Sequence, residues 1–116
     1  MDKKILTIND ISNIISESIK ESLGNKLCKI ILYGSYARGD FNEDSDIDVM
    51  VLADINNDDE LYKMEKNLWD IGWELDAQYN VMISIFLKSN KHFYEWKDVM
   101  AYYRNIVEDG VVLYGT

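Results

Sequence analysis

Apolar residues recur at helical spacing near the start of the chain, at Ile8, Ile11, Ile15, Ile19 and Leu23. Steps of three and four place them on one face, with Thr7 or Asn9 as a cap and Gly24 as a stop, so an amphipathic packing helix is predicted. Leu27 to Tyr33 is a continuous apolar run that reads as a buried strand. After Gly34-Ser35 and a polar stretch of ten residues, a second strand is expected over Ile47 to Leu52. Asp54 to Glu60 is polar and reads as a loop, and Leu61, Met64, Leu68, Ile71 and Leu75 then keep a helical stripe. Asn80 to Lys88 alternates Val81, Ile83, Ile85 and Leu87 with Met82, Ser84, Phe86 and Lys88, the period of a third strand. The tail predicts helices at His92 to Trp96 and Asp98 to Glu108, a stop at Gly110 and a short strand at Val111 to Tyr114. With a short helix after Gly34, this order describes a single α+β domain over residues 1–116.

Composition narrows the partners. With 47% hydrophobic and 12% aromatic residues, the chain can fill a core. No apolar run reaches membrane-spanning length, and the polar opening Met1-Asp-Lys-Lys does not resemble a secretory signal, so a cytoplasmic location is expected. The single Cys28 lies in an apolar strand and reads as a buried, inert thiol. A net charge of −9, with 21 acids against 12 scattered Lys and Arg, disfavours stable nucleic-acid binding and suits a basic protein partner.

The candidate chemistry lies between the first two strands. Residues two apart on a strand share a face, so Asp46 and Asp48 present two carboxylates together while Ile47, Val49 and Val51 face the core. Hard cations such as magnesium bind oxygen ligands of this kind, usually one or two carboxylates plus substrate phosphates. Gly34 permits a sharp turn and close approach of a ligand. If Ser35 to Gly39 forms a helical turn, its first N–H groups and the Ser35 hydroxyl favour a phosphate. Arg38 reads either as a phosphate clamp or as a surface partner of Asp40 or Glu43. Asp40, Glu43 and Asp44 read as solvated turn residues.

Taken together, Gly34-Ser-Tyr-Ala-Arg-Gly39 followed by Asp44-Ser-Asp-Ile-Asp-Val49 resembles the signature of the DNA polymerase beta-like nucleotidyltransferase superfamily. The chain is most similar to its minimal nucleotidyltransferases, small domains often paired as antitoxins with HEPN-domain toxins. The segment Tyr103-Arg-Asn-Ile-Val-Glu-Asp-Gly110 extends that likeness towards the end of the chain. The resemblance implies a nucleotidyltransferase fold, with an αβαβαβ core, a mixed sheet flanked by helices and a helical C-terminal tail. It also implies attack of an acceptor hydroxyl on the α-phosphate of ATP or another nucleoside triphosphate. Asp46 and Asp48 would bind Mg2+, Gly34 and Ser35 would hold the outer phosphates, and Arg38 would assist. The acceptor would lie on a HEPN-type helical toxin, in a homo- or hetero-oligomer. Two other readings are a catalytically weak or inactive domain that neutralises its toxin by binding, and a subunit of an antibiotic nucleotidyltransferase.

One departure stands out. Members of this superfamily usually carry a third carboxylate on the third strand, yet no acid occurs from Ala77 to Tyr94. Asp76, just before that strand, is the nearest substitute metal ligand, with Glu74 behind it. Trp69 and Trp73 read as core rim, with stacking of a base as the alternative. His92 has no Cys or His companion and reads as a surface residue. Of Tyr94, Trp96, Tyr102 and Tyr103, some are expected to pack on the sheet and the others to form a protein interface.

Overall fold

In a computed structural model, which describes residues 7–40 and 46–115, the elements follow the order expected from the hydrophobic pattern. Helix α1 (Ile8–Leu23) is capped by Thr7, whose side chain accepts from Asp10 N–H while the Asp10 carboxylate accepts from Thr7 N–H. This reciprocal arrangement pairs donors that an uncapped helix start leaves open. A short 3-10 turn leads into β1 (Leu27–Tyr33), followed by α2 (Ser35–Arg38) and β2 (Ile47–Ala53). Helix α3 (Asp58–Tyr79) crosses to β3 (Ile83–Ser89), and α4 (Asn90–Trp96), α5 (Ala101–Asp109) and β4 (Val111–Tyr114) complete the chain. Glu43 and Asp44 lie outside the described residues.

The strands form one mixed sheet in the order β3-β2-β1-β4. The β1–β2 and β1–β4 pairs are antiparallel, and β2–β3, linked by α3, is parallel. Ile30, Leu32, Val49, Val51, Ile85 and Leu87 point to one face and pack against Ile11, Ile15 and Ile19 of α1 and Leu68 and Leu75 of α3. The opposite face carries Ile31, Met50 and Leu52 against Phe93 of α4 and Tyr103 and Ile106 of α5. The sheet is therefore covered on both sides along part of its length, and Tyr103 is the member of the tail's aromatic group that packs inward. Tyr94, Trp96 and Tyr102 stay exposed.

Several boundaries differ from the sequence pattern, among them the start of α4, at Asn90 and not His92. The supposed loop up to Glu60 ends at Asn57, whose side chain accepts from Glu60 N–H at 3.0 Å and starts α3. The acids Asp58, Asp59 and Glu60 fill the first turn, where negative charge favours a helix. Asn80 is left-handed, with φ 56°, and ends α3 instead of opening β3. In the tail, Lys97 to Val99 form a turn, so α5 starts at Ala101, three residues beyond the predicted start at Asp98.

The outer edge of β3 is closed by side chains of α3. Ile83 N–H donates to Asp76 Oδ1 at 2.8 Å and Leu87 N–H to Glu65 Oε2 at 2.8 Å, while Trp69 Nε1–H donates to Ile85 O at 3.0 Å. Edge strands left open invite pairing with another chain. Here α3 occupies those backbone groups itself.

Candidate active site

Pairing of Tyr33 with Asp48 across β1 and β2 brings the glycine turn against the acidic pair. Gly34 adopts φ 76°, and a Cβ built on it would lie 2.5 Å from Asp48 Oδ2. The residue that must be glycine for its backbone is also the one whose missing side chain makes room for the Asp48 carboxylate. Gly34 O accepts from the amides of Ala37 and Arg38, both at 3.1 Å, and Gly39 closes the turn with φ 82° and an N–H bond to Ser35 O of 2.9 Å. Ser35 thus stands at the start of α2, half-buried.

Asp46 immediately precedes β2 and is exposed, and its neighbour Ile47 donates from N–H to Met82 O at 2.7 Å. Asp48 is half-buried. Burial pushes its carboxyl above the usual range, the Asp46 charge pushes the same way, and Arg38 opposes both. Arg38 Nε also donates to Asp40 Oδ2 at 3.3 Å in an exposed ion pair. Such surface pairs contribute little stability, so the guanidinium can be drawn to a phosphate at small cost. Both expected roles of Arg38 are compatible with this position.

The β2–β3 register shows what stands beside the acids. Asp48 pairs with Ser84 and Met50 with Phe86, so Ser84 is the side chain next to Asp48 on β3. Asp76 lies within electrostatic reach of Asp46. Burial and the Asp46 charge raise its carboxyl, whereas the bond from Ile83 N–H lowers it. Among the described residues, no group of three or more His, Cys, Asp or Glu is arranged to hold a metal ion. The chain offers a carboxylate pair, to which a substrate phosphate can add further oxygens.

Two tyrosines extend the site on the same face. Tyr33 and Tyr102 meet hydroxyl to hydroxyl at 2.8 Å, and burial raises the Tyr33 phenol. Sequence reasoning did not place Tyr33, Tyr102 or Ser84 here. The position of Tyr33 before Gly34 was a usable signal, but the other two depend on tertiary packing and strand register. Cys28 and His92 belong to other regions; Cys28 is half-buried, not buried as expected, and desolvation with the Asp54 charge raises its thiol.

A mixed sheet with a glycine turn at the end of β1 and paired carboxylates at the start of β2 suits transfer of a phosphate-bearing group. The chain belongs to the nucleotidyltransferase domain family, whose model matches residues 12–113, and its enzyme class is that of a nucleotidyltransferase. It is 35% identical over 97 residues to "Putative protein adenylyltransferase MJ0604" of Methanocaldococcus jannaschii, a match spanning 84% of this chain and 88% of the relative. It is 33% identical over 79 residues to "Putative protein adenylyltransferase MJ0141" of the same organism, covering 68% and 77%. Among solved structures, a toxin-antitoxin with AMP-PNP has a TM-score of 0.57 at 22% identity, over 90% of this chain and 73% of that one. A mutant of the toxin-antitoxin MntA-HpeT reaches 0.60 at 22% identity and the same coverage. At that identity, these two structures support the fold alone.

Proposed function

We propose that the protein is a magnesium-dependent adenylyltransferase that transfers AMP from ATP to a hydroxyl of a HEPN-type toxin and thereby acts as an antitoxin. The contact of Gly34 with the Asp48 carboxylate carries this reading, because it joins a phosphate-binding turn to a cation-binding pair. The names of the relatives favour a protein acceptor, and a nucleotide-bound toxin-antitoxin neighbour favours ATP and a toxin partner. The MntA-HpeT mutant carries Asp-to-Glu changes two residues apart, the spacing of Asp46 and Asp48.

The donor set fits a hard divalent cation. Two neighbouring carboxylates repel each other, and the repulsion together with burial disfavours the charged form of Asp48. Magnesium held by Asp46 and Asp48 would neutralise charge on the phosphate oxygens. Gly34 lets the turn sit against the Asp48 carboxylate, Ser35 donates to an outer phosphate, and Arg38 adds a planar cationic donor. In the reaction the acceptor oxygen bonds to the α-phosphorus as the bond to pyrophosphate breaks, and the hydroxyl proton passes to solvent. Positioning and electrostatics supply most of the catalysis in such reactions.

Incubation with magnesium, labelled ATP and the proposed HEPN-type toxin is expected to add AMP to the toxin, read by mass. An Asp46→Asn/Asp48→Asn variant is expected to lose the transfer while still binding its partner. Absence of transfer by the native protein, with the complex intact, would favour the second reading, an antitoxin that acts by binding. Ser84, standing where a third carboxylate would complete the site, is the observation in that reading's favour.

A further inference from the structure

We propose that the acceptor protein docks in an aromatic groove between β3 and α3, formed by Trp69, Trp73, Ser84 and Phe86. The inference rests on the adenylyl-transfer reading and deepens it. In phosphoryl-group chemistry the attacking and leaving oxygens lie roughly in line. Outer phosphates at Gly34 and Ser35 lie at the end of β1, and an α-phosphate at Asp46 and Asp48 lies on β2. The strand order β3-β2-β1 carries that line onto β3. Neighbouring strands are about 4.8 Å apart, so the attacking oxygen is expected one strand beyond the acidic pair. The nucleoside stays bonded to the α-phosphorus through its own ester oxygen, off this axis.

The surface found there suits a protein segment. Ser84 adjoins Asp48, and Phe86 lies one pair further along the same face, 38% exposed. Helix α3 overhangs the strand with Trp69 39% and Trp73 72% exposed. A cavity of about 220 Å³ runs between them, with Gly72 in its wall. Trp69 is held by its bond to Ile85 O and forms a fixed wall. Rigid exposed aromatics are frequent anchors of protein interfaces. Asp70, between the two tryptophans on α3, is exposed, so a basic residue is favoured beside the acceptor hydroxyl. Strand addition is not the mode of docking, since α3 side chains already occupy the edge groups of Ile83, Ile85 and Leu87.

Trp73→Ala tests the proposal with labelled ATP, magnesium and the same toxin. The expected result is a rise of at least about tenfold in the KM for the toxin, with the affinity for AMP-PNP and magnesium unchanged. Asp70→Lys is expected to raise the toxin KM through charge repulsion, again sparing AMP-PNP. An unchanged toxin KM in both variants would overturn the proposal. So would a loss of AMP-PNP affinity in Trp73→Ala with the toxin KM unmoved, which would assign the groove to the base. If the native protein transfers no AMP, the adenylyltransferase reading itself fails. Native transfer with a toxin KM that both variants leave unchanged defeats only the docking surface.

Discussion

Two glycines with positive φ frame α2, and they separate backbone strain from steric fit. Gly34 and Gly39 have φ of 76° and 82°, but a Cβ at Gly34 meets Asp48 whereas one at Gly39 meets nothing within 4 Å. Gly39→Ala should therefore lose about 1–2 kcal/mol from left-handed strain, and Gly34→Ala more, since φ 76° with ψ −156° is a region essentially confined to glycine. Only Gly34→Ala should also move the Asp48 carboxylate, and if that group holds the metal as proposed, a shift near 1 Å can cost about a hundredfold in rate. Thermal melts with paired transfer assays check this: equal activity losses would mean that strain alone matters at this turn. The sequence already pointed to a close approach at Gly34. That the approaching group is Asp48 depended on the Tyr33–Asp48 pairing, which no local pattern specifies.

Between α3 and β3, a relay of hydrogen bonds fixes the acidic pair from behind. Asp76 Oδ1 holds Ile83 N–H at 2.8 Å, and Met82 O, one residue earlier, receives Ile47 N–H at 2.7 Å, immediately after Asp46. Losing the Asp76 acceptor is expected to cost about 1–2 kcal/mol and loosen the start of β2. Asp76→Asn keeps an acceptor oxygen and should retain transfer within a few-fold, whereas Asp76→Ala should lose about tenfold or more. Equal loss in both variants, with weakened magnesium affinity, would instead make Asp76 a metal ligand. Helices and strands were legible here because the stripe of α3 and the alternation of β3 each bury one face against the same core. The first turn of α3 was not, because Asp58, Asp59 and Glu60 look like any solvated run until Asn57 caps them. Nor was the placement of Ser84 beside Asp48, since the register of a parallel pair is set across the whole α3 crossover. The tail's helices were legible in outline, yet their cover over Met50 and Leu52 required packing that periodicity does not encode.

Across the whole molecule, the site works against a chain that already carries a charge of −9. Asp48 is half-buried beside Asp46, and both burial and that neighbour disfavour its charged form. A carboxyl raised in the folded state takes up its proton more readily there than in the unfolded chain. Its ionisation therefore lowers stability as pH rises through that range. In metal-free buffer at neutral pH, Asp48→Asn should raise the melting temperature by a few degrees, and the gain should shrink as acid protonates the native carboxyl. Magnesium should reverse the ranking, because a ligand at a hundred times its Kd adds about 2.7 kcal/mol to the state that binds it. Scanning calorimetry of both proteins, with and without magnesium, measures the crossover. If Asp48→Asn is the less stable protein without metal, the attraction of Arg38 outweighs burial and the Asp46 charge, and the acidic pair is not strained in the empty fold. If the order inverts on adding magnesium, the instability belongs to the cation site, a cost the fold bears in order to bind its nucleotide.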